Sequence, residues 1–324
     1  MEDLEFQRLQ AELEDERQEL LGDLQRAKRG ADTVTPEMQA DIEGLLQSFG
    51  VPFVHAPAEA EAQCAFLADA RLVDAVASDD SDVLVFGARE VYRRLFSDDQ
   101  AVECYTALRL KAKLGLVQED LVLLAMLLGC DYTVGVHGVG IVNGLEIVRA
   151  FAPGRSAAPA APDGADVDTR LEGLRQLRSW AQNVANWGQE SAGVQPDDRR
   201  SVAEFKRSHR NFRTQWSFPE DFPSPQVHAA FVAPVVDRSL EPFAWAPVDS
   251  EAVLARLVAA SGHPEEKARE RLDPALRRYT DGLRQPRITE FMVPADAGDV
   301  ALVRSARLRD ALRGLRGEPS PERS

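Results

Sequence analysis

The chain has 324 residues, of which 44% are hydrophobic, and a formal net charge of -15 at pH 7. That length and apolar content allow roughly two domains with a sizeable core. The negative charge argues against a protein that binds nucleic acid over its whole surface, because Lys and Arg normally drive phosphate binding. No apolar run is long enough to span a bilayer, and residues 1–30 are too charged for a secretory signal. We therefore expect a soluble intracellular protein without a membrane partner.

The cysteines are odd in number and widely spaced, at Cys64, Cys104 and Cys130. This arrangement predicts reduced thiols rather than disulfides or a zinc site.

Residues 1–30 are crowded with charged side chains, yet apolar residues recur in them at near-helical spacing. The apolar residues are Phe6, Leu9, Leu13, Leu20 and Leu24. The pattern favours a solvated amphipathic helix with one docking stripe, and a DNA-gating or partner-binding role stays open. A second helix is predicted to begin at Thr35 and Pro36, because a hydroxyl suits the N-cap and proline suits the first turn. Gly50 ends that helix.

A unit of strand, helix and strand is predicted next. Residues 51–54 and 73–77 have the composition of short buried strands, and residues 59–67 between them favour a helix. Acidic residues follow both predicted strands, at Glu59, Glu61, Asp80 and Asp82. Because the carboxyl ends of parallel strands meet at one edge of a sheet, we expect both acidic pairs to face a shared cleft.

The acidic pairs predict a magnesium site. Carboxylate oxygens are the ligands that Mg²⁺ and Mn²⁺ prefer, and no nearby cluster of His or Cys indicates zinc. The alternative is that the glutamates only favour the positive start of a helix, whereas Asp79, Asp80 and Asp82 occupy a solvated turn. Either pair alone fits this alternative better. Both pairs in one unit, joined by a third acid, favour the metal site.

The third acid follows a buried helix. Residues 90–96 and 101–106 first predict a β-hairpin that completes the sheet. Residues 121–128 are almost wholly apolar, which predicts a buried helix that ends at Gly129, just before Asp131. An acid at that position has to be solvated or liganded.

A glycine-rich turn then opens another helix, with glycines at Gly135, Gly138 and Gly140. Small residues let backbone amides approach a ligand closely, so a helix, a glycine-rich turn and a helix suit phosphate binding. A tight helical hairpin without a ligand fits the same glycines equally well. His137, taken alone, fits a loop histidine better than a ligand.

The second half of the chain is predicted to be α-helical. Residues 152–166 are rich in Ala, Pro and Gly, which predicts a flexible linker. Helices are then predicted near residues 171–180, 199–212, 224–233, 249–261, 264–282 and 300–315. Residues 206–213 are basic and contain an aromatic residue, so they offer local positive charge for DNA. We expect three tryptophans to be packing anchors rather than base-stacking platforms: Trp187, Trp216 and Trp245.

Three motifs, at residues 50–64, 78–93 and 128–140, resemble in order and spacing the internal nuclease region of the flap endonuclease superfamily. Asp-Asp-Ser-Asp at residues 79–82, followed by Phe-Gly-Ala-Arg-Glu-Val-Tyr-Arg, is most similar to the xeroderma pigmentosum group G branch. That branch comprises excision-repair endonucleases. The resemblance is close over residues 33–151 and looser over the helical part up to Met292.

The resemblance implies metal-binding, catalytic acids at the five positions that the residue patterns single out, namely Glu59, Glu61, Asp80, Asp82 and Asp131. It also implies two Mg²⁺ ions, for which Mn²⁺ can substitute, that activate a water and stabilise the leaving oxygen in phosphodiester hydrolysis. The turn with Gly135, Gly138 and Gly140 matches the family's helix, two-turn, helix element. In the family this element holds a potassium ion and grips duplex DNA.

The resemblance has two departures. Near the end of the chain, the family's sliding-clamp motif is matched by Gln285, Ile288, Phe291 and Met292. Met292 stands where a second aromatic residue is usual, which implies weak clamp binding or none. Nothing here resembles the family's N-terminal nuclease segment, which supplies two further aspartates and a strand. We therefore expect the second half of such an enzyme, which is not a competent nuclease when alone.

We predict an α/β fold, with a mostly parallel sheet flanked by helices as a PIN-like nuclease core. A helix, two-turn, helix element and a mostly α-helical C-terminal part follow it. The predicted segments are a leading helix (1–32), the internal nuclease region (33–134), the helix, two-turn, helix element (135–151), the linker (152–167), the helical C-terminal region (168–284) and the clamp-like segment with the tail (285–324).

The predicted function is that of a structure-specific, Mg²⁺-dependent DNA endonuclease core in nucleotide excision repair, located in the nucleus. Its expected partners are single-strand/double-strand DNA junctions, a sliding clamp and excision-repair factors. Two alternatives stay open: a catalytically incomplete DNA-junction or scaffold protein of the same fold, and a replication flap endonuclease relative.

Overall fold

The computed structural model describes residues 34–95, 97, 101–152, 167–183, 192–211, 215–280, 303 and 305–316. These residues form two compact units, a smaller one from residues 34–54 and 243–280 and a larger one from the described residues of 55–242 and 303–316. The predicted leading helix, nearly all of the linker, the clamp-like motif and Trp187 lie outside the described residues. The domain boundaries proposed from the sequence stay a prediction.

The described residues are mainly helical. In chain order the helices are α1 (Pro36–Ser48), α2 (Ala60–Asp69), α3 (Asp82–Val85), α4 (Ala107–Arg109) with a π-helical turn (Leu110–Leu114), α5 (Gln118–Leu128), α6 (Ile141–Phe151), α7 (Val167–Gln182), α8 (Arg200–His209), α9 (Pro225–Val232), α10 (Ser250–Ser261), α11 (Glu265–Thr280) and α12 (Ala306–Leu315). Each helix predicted for the second half of the chain has a counterpart among the described residues, whereas the predicted ends at 212, 281–282 and 300–302 lie outside them.

The sheet described in the larger unit has the order β1 (Val76–Ala77), β2 (Glu90–Arg93) and β3 (Glu103–Thr106). Strand β1 pairs with β2 in parallel, with Val76 opposite Val91, and β2 pairs with β3 in antiparallel fashion. The predicted hairpin is thus confirmed. The strand predicted at residues 51–54 is wrong, because no strand in the described part of the chain pairs with it. An apolar pattern alone cannot form a strand without a neighbour to accept its hydrogen bonds.

The smaller unit is built from α1, α10 and α11. Helix α1 begins as predicted, with the Met38 amide donating to Thr35 Oγ1 at 3.2 Å and proline in the first turn. Gly50 ends this segment with φ of +68°, and a Cβ there would lie 2.0 Å from the Ala246 carbonyl oxygen. Only glycine fits this approach. The small core comprises Val253, Leu254, Ala268 and Leu272.

Helix α5 lies at the centre of the larger unit and packs against α3, α6 and α9. Five of its apolar side chains are at most 6% exposed: Val122, Leu123, Leu124, Met126 and Leu127. The helix begins where Asp120 Oδ2 accepts the Val117 amide at 2.9 Å, and it ends at Gly129 with φ of +100°. The buried helix predicted from the sequence is confirmed, and it fixes the position of the turn that carries Asp131.

The tryptophan predictions have mixed outcomes. Trp216 is 8% exposed in the core of the larger unit, as expected for a packing anchor. Trp245 is 65% exposed, so the prediction of a packing anchor is wrong for this residue. Among the described helices, none combines the length and the apolar content that a bilayer span requires.

Candidate functional site

The five acids of the candidate site lie at the ends of three helices. Glu59 is the N-cap residue of α2, and Glu61 lies in its first turn. Asp82 is the first residue of α3 and is half-buried, whereas Asp80 precedes that helix and is exposed. Asp131 follows the end of α5 in a turn closed by backbone hydrogen bonds between Cys130 and Thr133.

The loop before α3 is ordered by its own side chains. The Asp80 amide donates to Ser78 Oγ at 3.1 Å, and Asp80 Oδ1 accepts the Asp82 amide at 2.9 Å. An aspartate that accepts the amide two residues ahead forms an Asx turn, which sets the direction of the following chain. The solvated turn considered as an alternative is therefore only half right. Asp80 is exposed in the turn, but Asp82 begins a helix and is half-buried.

Asp79 anchors this loop to the sheet, a role that the sequence reasoning missed. Its Oδ1 accepts the backbone amide of Arg94 at 2.6 Å, and its carbonyl oxygen accepts a hydrogen bond from Arg93 Nη2 at 2.8 Å. Arg94 has φ of +57°, a conformation that side chains other than glycine seldom adopt. The basic pair at the end of a predicted strand was the available signal for such an anchor.

The other acids affect the ionisation of Asp82. Its partial burial raises the pKa of Asp82 above the usual range, and the nearby carboxylates raise it further. These carboxylates belong to Asp80, Asp131, Glu61 and Glu59, in decreasing order of effect. Like charges disfavour the ionised form of a neighbour, and a cation placed among them would relieve that repulsion.

The acids nevertheless do not form a closed ligand cage. Within the described ranges, no group of three or more His, Cys, Asp or Glu side chains has the geometry to hold a metal ion. The chemistry of the donor set still fits a hard divalent cation, because all five candidate ligands are carboxylates. The residues fit such an ion in type and in charge.

Tyr132 makes a direct contact with the acidic cluster that the sequence reasoning also missed. Its hydroxyl donates to Glu59 Oε1 at 3.0 Å. Burial raises the pKa of Tyr132 to about 12, together with the hydrogen bond and the charge of Glu59. The ring of Tyr132 packs edge-on against Phe231, with centroids 5.2 Å apart. Apart from the neighbouring Asp131, no local pattern in the sequence indicated this role.

The glycine-rich turn lies between α5 and α6. Gly135 and Gly138 have φ of +72° and +83°, so the backbone requires glycine at both positions. A Cβ at Gly138 would also lie 2.8 Å from the Gln215 carbonyl oxygen. Gly140 is different: it is exposed, and apart from its chain neighbours and the backbone of α6, no atom of the described residues lies within 4 Å of a Cβ placed there. His137 pairs through its backbone with Ser217, and its side chain is exposed, as a loop histidine should be.

The basic stretch at residues 206–213 is not the free basic surface that its composition suggests. Lys206 Nζ lies 2.7 Å from Asp198 Oδ2, and the two side chains are 7% and 11% exposed. His209 is also buried, and its ring stacks on Phe205 with centroids 4.0 Å apart. In the part of the stretch that lies in α8, Lys206 and His209 are buried and Arg207 is exposed, so part of its charge is turned into the core.

His209 also belongs to a polar network that joins three helices. Its Nε2 lies 2.8 Å from Glu146 Oε2 in α6, and Arg307 in α12 donates to Glu146 Oε1 at 2.9 Å. Burial alone would raise the pKa of Glu146, but the hydrogen bonds from His209 and Arg307 outweigh it and lower the pKa. The network fixes α6, the helix that follows the glycine-rich turn, between α8 and α12.

The candidate clamp motif, Gln285, Ile288, Phe291 and Met292, lies outside the described residues.

Comparisons with known proteins agree in pointing to one family. The XPG I-region family model matches residues 50–131. DNA repair protein RAD2 of Saccharomyces cerevisiae is 33% identical over 304 residues, which are 92% of this chain and 27% of that protein. DNA excision repair protein ERCC-5 of Mus musculus is 33% identical over 324 residues, which are 98% of this chain and 26% of that protein.

A solved structure extends the similarity to the fold. The catalytic core of Rad2 in complex with DNA substrate has 31% sequence identity and a TM-score of 0.58, and the match covers 78% of this chain and 72% of that one. This similarity confirms the predicted α/β nuclease-core fold. The chain spans about a quarter of the length of the two curated relatives. These matches show that the chain belongs to the xeroderma pigmentosum group G-like branch of the flap endonuclease superfamily.

Proposed function

We propose that this chain is the internal nuclease region and C-terminal part of a structure-specific, Mg²⁺-dependent DNA endonuclease of nucleotide excision repair. Its reaction is hydrolysis of a phosphodiester at a single-strand/double-strand junction, and its location is the nucleus. The observation that carries the proposal is the placement of five carboxylates at the ends of three helices, and the raised pKa of Asp82 is consistent with it. Such a concentration of acids at the ends of three helices is unfavourable unless a cation balances it.

The proposed metal ligands are the five acids, Glu59, Glu61, Asp80, Asp82 and Asp131. When bound, two divalent ions supply an activated water and stabilise the leaving oxygen. The protein contributes the placement of the carboxylates. The Asp82 amide holds Asp80 by a hydrogen bond of 2.9 Å, the Tyr132 hydroxyl holds Glu59, and the end of the buried helix α5 sets the position of Asp131.

The proposed DNA contact is the turn that contains Gly135, Gly138 and Gly140. Support comes from the exposed backbone around Gly140, where no neighbouring atom blocks an approaching phosphate. The related Rad2 core is in complex with DNA substrate. A potassium ion at this turn, a sliding clamp at residues 285–292 and excision-repair factors remain parts of the proposal.

A second candidate function is a catalytically incomplete protein that binds DNA junctions as a scaffold. One observation favours it, namely that no group of three or more acids in the described part of the chain has the geometry to hold a metal ion. Two-metal catalysis requires its groups to be placed accurately, since small misplacements cost about a hundredfold in rate. The two functions differ in whether the protein cleaves the DNA junction or only binds it.

A cleavage assay separates the two functions. The substrate is a bubble or splayed-arm duplex, with Mg²⁺ or with a chelator. Two proteins are assayed: the chain alone, and the chain joined to the N-terminal nuclease segment of a relative. We expect the joined protein to cut at the junction only with Mg²⁺, and the chain alone to bind the junction with little cutting.

The matched variants are Asp82→Asn and Asp74→Asn, which remove the same charge. Asp74 is exposed and precedes β1 outside the acidic cluster. We expect Asp82→Asn to abolish cutting and Asp74→Asn to leave it unchanged. Junction binding without cutting by the joined protein would favour the scaffold. Robust cutting by the chain alone, lost in Glu61→Gln, would contradict the prediction that a second segment is needed.

A further inference from the structure

Glu59 accepts a hydrogen bond from a residue that is distant in the sequence, and this donor is Tyr132. The hydroxyl donates to Glu59 Oε1 at 3.0 Å across a separation of 73 residues. Glu59 is exposed at the N-cap of α2, and its side chain makes no capping hydrogen bond to that helix. A glutamate in such a position has several accessible rotamers in water. The contact with Tyr132 therefore selects one orientation of the carboxylate.

Tyr132 is itself held by an aromatic column. Its ring packs edge-on against Phe231, which is fully buried, with centroids 5.2 Å apart. Phe231 also packs against Phe86, with centroids 5.1 Å apart. Phe86 is the C-cap residue of α3, the helix that begins at Asp82. The column thus connects the residue after Asp131 with the helix that carries Asp82.

Helix α9, which supplies Phe231, is fixed to the central helix of the unit. His228 in α9 is 1% exposed, and its Nε2 lies 2.8 Å from Glu119 Oε1 in α5. A ring on a fixed helix restricts Tyr132 to a narrow range of positions. Tyr132 itself lies in the turn after α5 and is 37% exposed, so the packing of its ring against Phe231 is the contact that supports the hydroxyl.

We infer that Tyr132 is a positioning residue that orients Glu59 for metal binding, an inference that rests on the proposed function. One carboxylate oxygen accepts the tyrosine hydroxyl, and the orientation leaves the other oxygen for the cation. Carboxylates that bind metal ions are commonly held by such hydrogen bonds, and loss of the partner typically costs about 10- to 100-fold in affinity or activity. A tyrosine with only a structural role would change stability and leave metal affinity unaltered.

The test uses Tyr132→Phe, which deletes the hydroxyl and keeps the ring on Phe231. The matched control is Tyr105→Phe, because the Tyr105 hydroxyl also donates to a glutamate, Glu103 Oε2, at 3.0 Å. Glu103 lies in β3, outside the acidic cluster. The readout is the affinity of the chain for Mn²⁺, measured by calorimetry and by the electron paramagnetic resonance signal of the free ion. We expect about a tenfold loss for Tyr132→Phe and no change for Tyr105→Phe.

A double-mutant cycle with Glu59→Gln identifies the route of the effect. If Tyr132 acts through Glu59, Tyr132→Phe should weaken Mn²⁺ binding much less when Glu59 is already glutamine. Equal Mn²⁺ affinity for Tyr132→Phe and the unaltered chain would overturn the positioning role alone, and so would equal losses in both backgrounds. Failure of the unaltered chain to bind Mn²⁺ would overturn the metal site of the proposed function, and the positioning role with it.

Discussion

The backbone amide of Asp82 donates to Asp80 Oδ1 at 2.9 Å, so one candidate ligand holds the other in place. The two acids linked by this contact also repel each other. Burial has the largest effect in raising the pKa of Asp82, and the negative charge of Asp80 has the next largest. The contact stabilises the loop through a hydrogen bond, and the charges oppose it. Replacing a charge while keeping the hydrogen-bond acceptor separates the two effects.

We expect Asp80→Asn to abolish cleavage in a complete enzyme while the free energy of unfolding stays level or rises by up to about 1 kcal/mol. The asparagine oxygen can still accept the Asp82 amide, whereas the repulsion between the two carboxylates is removed. Thermal unfolding with and without Mg²⁺ provides the measurement. The unaltered chain should gain stability from Mg²⁺, and the variant should gain less. Full cleavage by Asp80→Asn would rule out Asp80 as a metal ligand.

The glycine-rich turn permits a comparison between two glycines. Gly138→Val should weaken junction binding and also destabilise the fold by about 1–3 kcal/mol, because φ is +83° and Gln215 leaves no room. Gly140→Ala should leave the fold intact, because φ is -94° and its surroundings are open. If phosphate approaches this backbone, Gly140→Ala weakens junction binding at constant stability and constant Mg²⁺ affinity. Fluorescence anisotropy with labelled junction DNA measures junction binding. Unchanged binding by Gly140→Ala would mean that DNA does not contact this turn.

The parts of the site that the sequence could predict are local. The acids Glu59, Glu61, Asp80 and Asp82 each lie within a few residues of a helix start, and Asp131 follows a helix that is apolar on nearly every side. Short-range spacing and composition are sufficient for these positions. The same reasoning failed for residues 51–54, where the pattern of a strand was present but no strand in the described ranges pairs with them.

The remaining contacts depend on tertiary packing and have no local signature. Tyr132 and Glu59 are 73 residues apart, and Arg307 and Glu146 are 161 residues apart. Sequence spacing carries no information about which of many polar residues will meet over such separations. Lys206 illustrates the opposite error. Lys206 belongs to a basic stretch whose composition predicts free positive charge. In the structure its side chain is buried and paired with Asp198.

The buried pair gives a prediction that separates stability from DNA binding. Lys206→Ala leaves the Asp198 carboxylate buried and without its cation, which should cost about 3–5 kcal/mol of folding free energy. Arg207 is exposed on the same helix, so Arg207→Ala should change stability by less than about 0.5 kcal/mol. If DNA contacts this face, Arg207→Ala weakens binding and lowers its salt dependence. Urea unfolding and DNA titrations at several salt concentrations provide the measurements. A Lys206→Ala variant of normal stability would contradict the buried pair.

The network around Glu146 should make the larger unit sensitive to acid. Its hydrogen bonds with His209 and Arg307 lower the pKa of Glu146 in the folded state below its ordinary value of 4.5. The unfolded chain therefore takes up the proton at a higher pH than the folded chain does. The stabilisation is present in full above pH 4.5 and is lost as the pH falls through the folded pKa.

We therefore expect Glu146→Gln to lower the free energy of unfolding by about 1–2 kcal/mol at pH 7, a modest figure because Arg307 is partly exposed. The difference from the unaltered chain should shrink as the pH falls from 4.5 through the lower folded pKa of Glu146, below which both chains lack the charge. Urea unfolding between neutral and acidic pH measures this, with Glu172→Gln as the control for loss of a surface carboxylate, because Glu172 is exposed on α7. A difference that stays constant across this pH range would mean that the ionised form of Glu146 does not stabilise the packing of α6 against α8 and α12.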